Sequence, residues 1–228
     1  MTRVSAAILA ELARLGTATV YEAGGRGRFV DVDLHQIVPG SRVAGPARPV
    51  RCGQDDNLMV HAVMATVRRG EIIVLTMPEP RPVALVGDLL ATQALAQGAA
   101  GMLIDASVRD VEELRELGLP IWARWIRVHG AVKDVPGTIG EPVEVGGARI
   151  ETGDVLVMDA DGVAVIEPDR ASEVLEASLA REAREAAKRA RLRAGELSYD
   201  LDGLRERVEG RGARVDGRGA ETGERGER

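Results

Sequence analysis

"VGDLLATQALAQGAAGMLIDASVRDVEEL", residues 86–114, is the stretch whose reading decides the fold. Residues 89–97, rich in Leu, Ala and Gln, favour a helix. Residues 101–105 read as a short apolar strand, and residues 111–117 as a second helix stopped by Gly118. This alternation predicts parallel strands with helices packed on the sheet. A helix of about nine residues advances roughly 14 Å, and a strand of about five residues returns roughly 16 Å. The chain should therefore come back beside Asp88 when, after twenty intervening residues, it reaches Arg109–Asp110. That puts two carboxylates and a guanidinium on one rim, where open α/β sheets place their ligands.

The pattern extends outward. "EIIVLTM", 71–77, is a buried strand, and Pro120 leads into the strand "IWARW". Upstream, residues 4–16 form an amphipathic helix ending at Gly16, with Ile8, Leu9, Leu12 and Leu15 at helical spacing. "TATVYEAGG", 17–25, predicts a second short helix, and "GSRVAGPARPVRC", 40–52, a strand broken by Gly and Pro. "DNLMVHAVMATVRRG" predicts a helix closed by Gly70, with Leu58, Val60, His61, Met64 and Val67 near one face. Downstream, "VLVMDADGVAVIEP" is a hairpin turning at Asp161–Gly162. Residues 170–194 form a long Ala/Arg/Glu helix, with Asp169 as its N-cap and Gly195 just past its end. The expected fold is thus mixed, a central βα part beside a β-rich part. One domain should cover 1–207, and 208–228, with almost nothing to bury, should form a disordered tail.

With 228 residues the chain can bury a self-sufficient core, built from aliphatic residues because only 2% are aromatic. A formal charge of −6 argues against nucleic-acid binding. The lone cysteine, Cys52, excludes an internal disulfide and suits a reducing cytosol. No apolar run is long enough to span a bilayer, and "MTRVSAAILAELARLG" is too charged for a signal peptide, so a cytoplasmic location is expected.

The rim offers a coherent set of tools. Free N–H groups of Leu89 and Leu90 at a helix start, with the fork of Arg109, can hold a carboxylate. Asp110 can bind a hard divalent cation, and Asp88 can accept a proton or orient a metal-bound water. The structural alternatives are that Asp88 and Asp110 are helix N-caps and that Arg109 pairs with Glu113 four residues on.

"GDLLAT" followed by "DASVRDVEEL" resembles the RraA-like class II pyruvate aldolases. Their signature is Asp, twenty residues, Arg-Asp, two residues, then Glu or Asp, matched here by Asp88, Arg109, Asp110 and Glu113. The resemblance runs from about residue 15 to 207 through "EAGGRG", "DDNLMVH", "PIWAR", "GDVLVMDADGVAVI" and "AGELSYD". The last of these, with the helix before it, is similar to the 4-carboxy-4-hydroxy-2-oxoadipate aldolases, which also decarboxylate oxaloacetate. The resemblance implies a swivelling β/β/α domain with a long C-terminal helix, assembled as homotrimers or homohexamers. It implies a substrate loop at Gly87–Leu90, a substrate-carboxylate arginine at Arg109, a metal ligand at Asp110, and Mg²⁺ or Mn²⁺. It also implies a glutamate reaching a neighbouring subunit's site, with Glu185 the first candidate and Glu182 the second; the alternative for Glu185 is an i,i+4 pair with Arg189. "MPEPRPVALV", before Gly87, matches nothing in the family pattern. The setting implied is catabolism of aromatic compounds.

Cleaving the C3–C4 bond of a 4-hydroxy-2-oxo acid and decarboxylating oxaloacetate both leave the enolate of pyruvate. Both need an electron sink at C2, either a lysine Schiff base or a Lewis-acid metal. The two lysines, Lys133 and Lys188, lie in polar surroundings that would not depress their pKa. His35, His61 and His129 are scattered, which argues against zinc and for a carboxylate-plus-water site. His61 is expected on a helix face. Two rivals stand against this reading. One is a non-catalytic, protein-binding regulator of ribonuclease activity, a class that resembles these aldolases but often lacks the acid at the Asp88 position. The other, itself enzymatic, is a 4-hydroxy-4-methyl-2-oxoglutarate aldolase or a plain oxaloacetate decarboxylase. A methyltransferase is disfavoured by the absence of a glycine-rich cofactor loop after a strand.

Overall fold

A computed structural model describes residues 4–210, so residues 211–228 of the expected tail lie outside the described residues. Gly16, at φ 84°, closes α1 (Ala6–Leu15) and lets α2 (Thr17–Ala23) start at once. Two short strands, β1 (Arg28–Phe29) and β2 (His35–Gln36), precede β3 (Val43–Arg51). Then follow α3 (Leu58–Val63), β4 (Ile72–Thr76), β5 (Ala84–Val86), α4 (Asp88–Ala96), β6 (Gly101–Val108), α5 (Val111–Leu117) and β7 (Ile121–Ile126). The β-rich part contains β8 (Thr138–Ile139), β9 (Val143–Val145), β10 (Ala148–Ile150), β11 (Val155–Asp159) and β12 (Gly162–Ile166). A 3₁₀ turn at Pro168–Arg170 leads into α6 (Ala171–Arg193), followed by α7 (Ser198–Leu201) and α8 (Leu204–Glu209). The chain divides after Glu182 into two compact units. No helix among the described residues is long and apolar enough to cross a membrane.

The main sheet runs β1-β12-β11-β3-β4-β6-β7-β2, with β5 beside β6 and β8 beside β3. Its β3-β4-β6-β7 stretch is parallel, and β11, β12 and β1 are antiparallel. β3 joins the two halves by changing partner along its length. Val43–Pro46 pair with β11, and Ala47–Arg51 pair with β4. This explains how a central strand tolerates Pro46 and Pro49, because a proline can sit where its missing donor has no neighbour to serve.

Three apolar layers follow from the alternation of side chains. Ile73, Leu75, Met102, Ile104 and Ile121 face the α3–α5 side with Val60, Leu90 and Leu114. Their neighbours Ile72, Val74, Leu103 and Trp122 face the opposite way, packing with Leu156, Met158 and the β9–β10 hairpin. Val155, Val157 and Ala164, on the far side of the β-rich half, are covered by Leu12, Val20 and Val174. Helices, parallel strands, antiparallel strands and helices thus succeed one another through the first unit, a mixed α/β fold with a large sheet and a long C-terminal helix, as expected.

Two local expectations are corrected. The helix after Asn57 ends at Val63, seven residues short of Gly70. Thr66 bonds its hydroxyl back to the Val63 carbonyl, turning the chain, and the buried face is Val60, Val63 and Met64 while His61 is exposed. Asp169 is not an N-cap. It lies inside the 3₁₀ turn begun by Pro168, whose fixed φ starts the turn earlier, with Glu167 as the residue before it.

Candidate active site at the strand ends

The two loops of the opening stretch do meet. The backbone N–H of Asp88 donates to Oδ2 of Asp110 at 3.2 Å. Both loops leave the C-terminal ends of neighbouring parallel strands, β5 and β6, and the Arg109 N–H donates to the Val86 carbonyl at 3.1 Å. Residues 127–131, following β7, form the third wall. Arg127 donates its backbone N–H to Val108, and the Ala84 N–H donates to the His129 carbonyl at 2.7 Å.

Neither aspartate caps its own helix. Gly87 is the N-cap of α4 and Asp88 the first helical residue. Asp110 precedes α5 in the left-handed region, φ 60° and ψ 47°, and makes no cap bond to α5. A non-glycine residue held there is strained, which is common where function fixes a side chain. The conformation turns the carboxylate away from α5 and onto the N-terminus of α4. Gly87 is needed for this approach, because a Cβ at that position would collide with Asp110 Oδ2. The Arg109–Glu113 pair does not form; Arg109 Nε stands 3.6 Å from Asp110 Oδ2 instead.

At the start of α4 the first helical bond is Ala91 N–H to the Gly87 carbonyl. The N–H groups of Leu89 and Leu90 therefore have no acceptor among the described residues, as helix geometry requires. Leu90 is buried, whereas Leu89 is 80% exposed. The Arg109 side chain is 50% exposed and that of Asp110 35%. Arg109, Asp110, Arg115, Ile126, Arg127 and Val128 line an open cavity of about 550 Å³. The arrangement can bind an anion through a guanidinium and helix-start amides beside the Asp110 carboxylate, with Asp88 joined to the rim through its backbone N–H.

Among the described residues no three His, Cys, Asp or Glu side chains are grouped to hold a metal ion. A closed zinc site does not fit such a set. One half-exposed carboxylate does fit Mg²⁺ or Mn²⁺, which keep several waters and take substrate oxygens as ligands. Lys133 is exposed, and Lys188 is ion-paired with Asp202. Glu182 is bound to Arg14 through both carboxylate oxygens. Glu185 lies one turn further along α6, in the second unit.

Sequence reasoning missed three residues around this rim. A Cβ on Gly130 would stand 2.8 Å from Arg109 Nη1, so its bareness admits the guanidinium. Asn57 is buried, donates Nδ2 to the Leu85 carbonyl at 3.0 Å, and leaves Oδ1 without a hydrogen-bond partner among the described residues. Asp56 is wholly buried. Burial alone would raise its carboxyl pKa, but the N–H groups of Leu58, Asp134 and Val135 outweigh that and hold it below its usual range. The fragment "DDNLMVH" was the available signal, although its donors lie some eighty residues away in the chain.

Residues 17–165 match the RraA-like family (Aldolase/RraA), and the chain belongs to it. A protein of Halalkalibacterium halodurans named "Putative 4-hydroxy-4-methyl-2-oxoglutarate aldolase" is 35% identical over 135 residues, 59% of this chain and 64% of that relative's length. A crystal structure of a protein from Pseudomonas syringae pv. tomato superposes with a TM-score of 0.78 at 25% identity, covering 86% of this chain and 92% of the other. Streptomyces coelicolor RraAS2, described as an unusual member of the RNase ES inhibitor RraA protein family, gives 0.73 at 28% identity, over 83% and 98%.

Proposed function

We propose that this chain is a divalent-metal-dependent aldolase that cleaves 4-hydroxy-2-oxo acids to pyruvate and also decarboxylates oxaloacetate. The observation that carries the reading is the common rim of Asp88, Arg109 and Asp110, closed by the 3.2 Å bond between the two loops. The name of the Halalkalibacterium relative supports the reaction class. The resemblance of the C-terminal segment favours 4-carboxy-4-hydroxy-2-oxoadipate over the 4-methyl substrate, giving pyruvate and oxaloacetate. The working assembly is a homotrimer or homohexamer in the cytoplasm.

Asp110 would hold Mg²⁺ or Mn²⁺, which when bound supplies Lewis-acid polarisation of the substrate's 2-keto group. Arg109 and the Leu89 and Leu90 N–H groups hold the C1 carboxylate. Asp88 takes the C4 hydroxyl proton as the C3–C4 bond breaks, leaving its electron pair on pyruvate as the enolate. The Arg109 charge stabilises that enolate until C3 is protonated. In oxaloacetate, C4 leaves as CO₂ and no hydroxyl proton need be removed. Asp88→Ala should therefore cut aldol cleavage by about 10²–10⁴-fold while sparing the fold and a measurable rate of decarboxylation. Full aldolase activity in that variant would refute the assignment of the base.

The likeness to RraAS2 favours one alternative, a protein-binding regulator of ribonuclease activity. On that reading no magnesium-dependent pyruvate release would occur with any 2-oxo acid.

A further inference from the structure

Residues 127–137 cross the rim as a strap that touches the apolar core at Ala131 and leaves its valines largely outside it. Val128 is 87% exposed, Val132 53% and Val135 47%, so burial contributes little to its order. Its order comes from polar ties instead. His129 and Ala131 bond to the backbone of Ala84, and Val132 bonds to Asp55 and Asn57. Beyond Val132, where Val135 lies against Gly53, the strap's hydrogen bonds among the described residues go to one side chain, Asp56. Its Oδ2 accepts from the N–H of Asp134 at 2.6 Å and of Val135 at 2.8 Å, while Oδ1 accepts from Leu58 at 2.7 Å. A carboxylate is the one side chain of this size that can receive three converging N–H donors.

We propose that Asp56 is a positioning residue: by fastening residues 134–135 it backs the Ala84 bonds that set Gly130 beside the guanidinium of Arg109, and so fixes where that guanidinium meets the substrate. The inference rests on the role given to Arg109 above. A Cβ on Gly130 would stand 2.8 Å from Nη1, so the guanidinium lies directly over this bare position of the strap. An asparagine at 56 can still turn its oxygen to the Asp134 and Val135 donors, with its NH₂ against the Leu58 N–H, whereas an alanine removes every acceptor and releases that end of the strap.

The test uses the full chain and two variants. In Asp56→Ala, amide exchange at residues 130–135 should rise at least about tenfold. KM for the 4-hydroxy-2-oxo acid should rise about tenfold, with kcat per folded site within about threefold. Gly130→Ala, which leaves the fastening intact but crowds Nη1, should raise KM similarly with no change in exchange. Unchanged exchange in Asp56→Ala, or an unchanged KM in either variant, would overturn the proposal. Should the wild-type chain release no pyruvate at all, the aldolase reading fails, and the exchange measurement still decides whether Asp56 fastens the strap.

Discussion

At Asp110 the backbone sits in a left-handed conformation that L residues avoid, and the strain buys a carboxylate aimed at the neighbouring helix rather than its own. Gly87 is the counterpart, since any side chain there would strike that carboxylate. Gly87→Ala should therefore weaken Mn²⁺ binding, read by titration, by about tenfold or more, while the melting temperature barely moves. Unchanged Mn²⁺ affinity would detach Asp110 from the metal. The meeting of Asp88 with Arg109–Asp110 was legible in the sequence because element lengths alone return the chain to its starting level. That Asp110 serves α4 was not, because it depends on one φ angle. The role of Asp56 was hidden for a different reason: its donors at 134 and 135 come together with it only in the fold.

Among the elements, the parallel strands and their helices were readable from apolar runs punctuated by glycine. β5 was missed because three residues carry no periodicity. The β9–β10 hairpin was missed although "VEVGGARI" carries its signal, a Gly146–Gly147 pair with φ of 51° and 71° between alternating residues. The helix at 58–63 was read too long because its periodicity outran a threonine that turns the chain. Just before it, at the end of β3, Cys52 is packed in the core, and burial, then the Asp56 charge, pushes its thiol up from 9.0 to about 12. The raised value sets the sign of the effect. The folded state disfavours the thiolate, so this contribution is complete below pH 9 and is lost as pH rises from 9 toward 12. Cys52→Ala should accordingly flatten the decline of stability across that window in denaturant titrations. The native thiol should also react far more slowly with a disulfide reagent at pH 8 than the unfolded one.

In the molecule as a whole, the layered first unit places the rim at the strand ends and leaves α6 to extend past Glu182 into the second unit. The family resemblance assigns a glutamate of this helix to a neighbouring copy's site, and Glu185 is the proposed residue. If so, Asp88→Ala and Glu185→Ala should each be inactive in aldol cleavage alone. Mixed and reassembled at equal amounts they should regain about a quarter of wild-type activity, since that fraction of sites draws both intact residues from different copies. No regain would confine each site to one chain. The central claim, that this rim breaks a carbon–carbon bond with a divalent ion, is tested most directly by pyruvate release from 4-carboxy-4-hydroxy-2-oxoadipate after chelation and after Mg²⁺ is restored. The account predicts no turnover in chelator, full recovery with Mg²⁺, and in Asp88→Ala with Mg²⁺ a rate lower by about 10²–10⁴-fold. Turnover unaffected by chelation, or absent at every Mg²⁺ concentration, would contradict it.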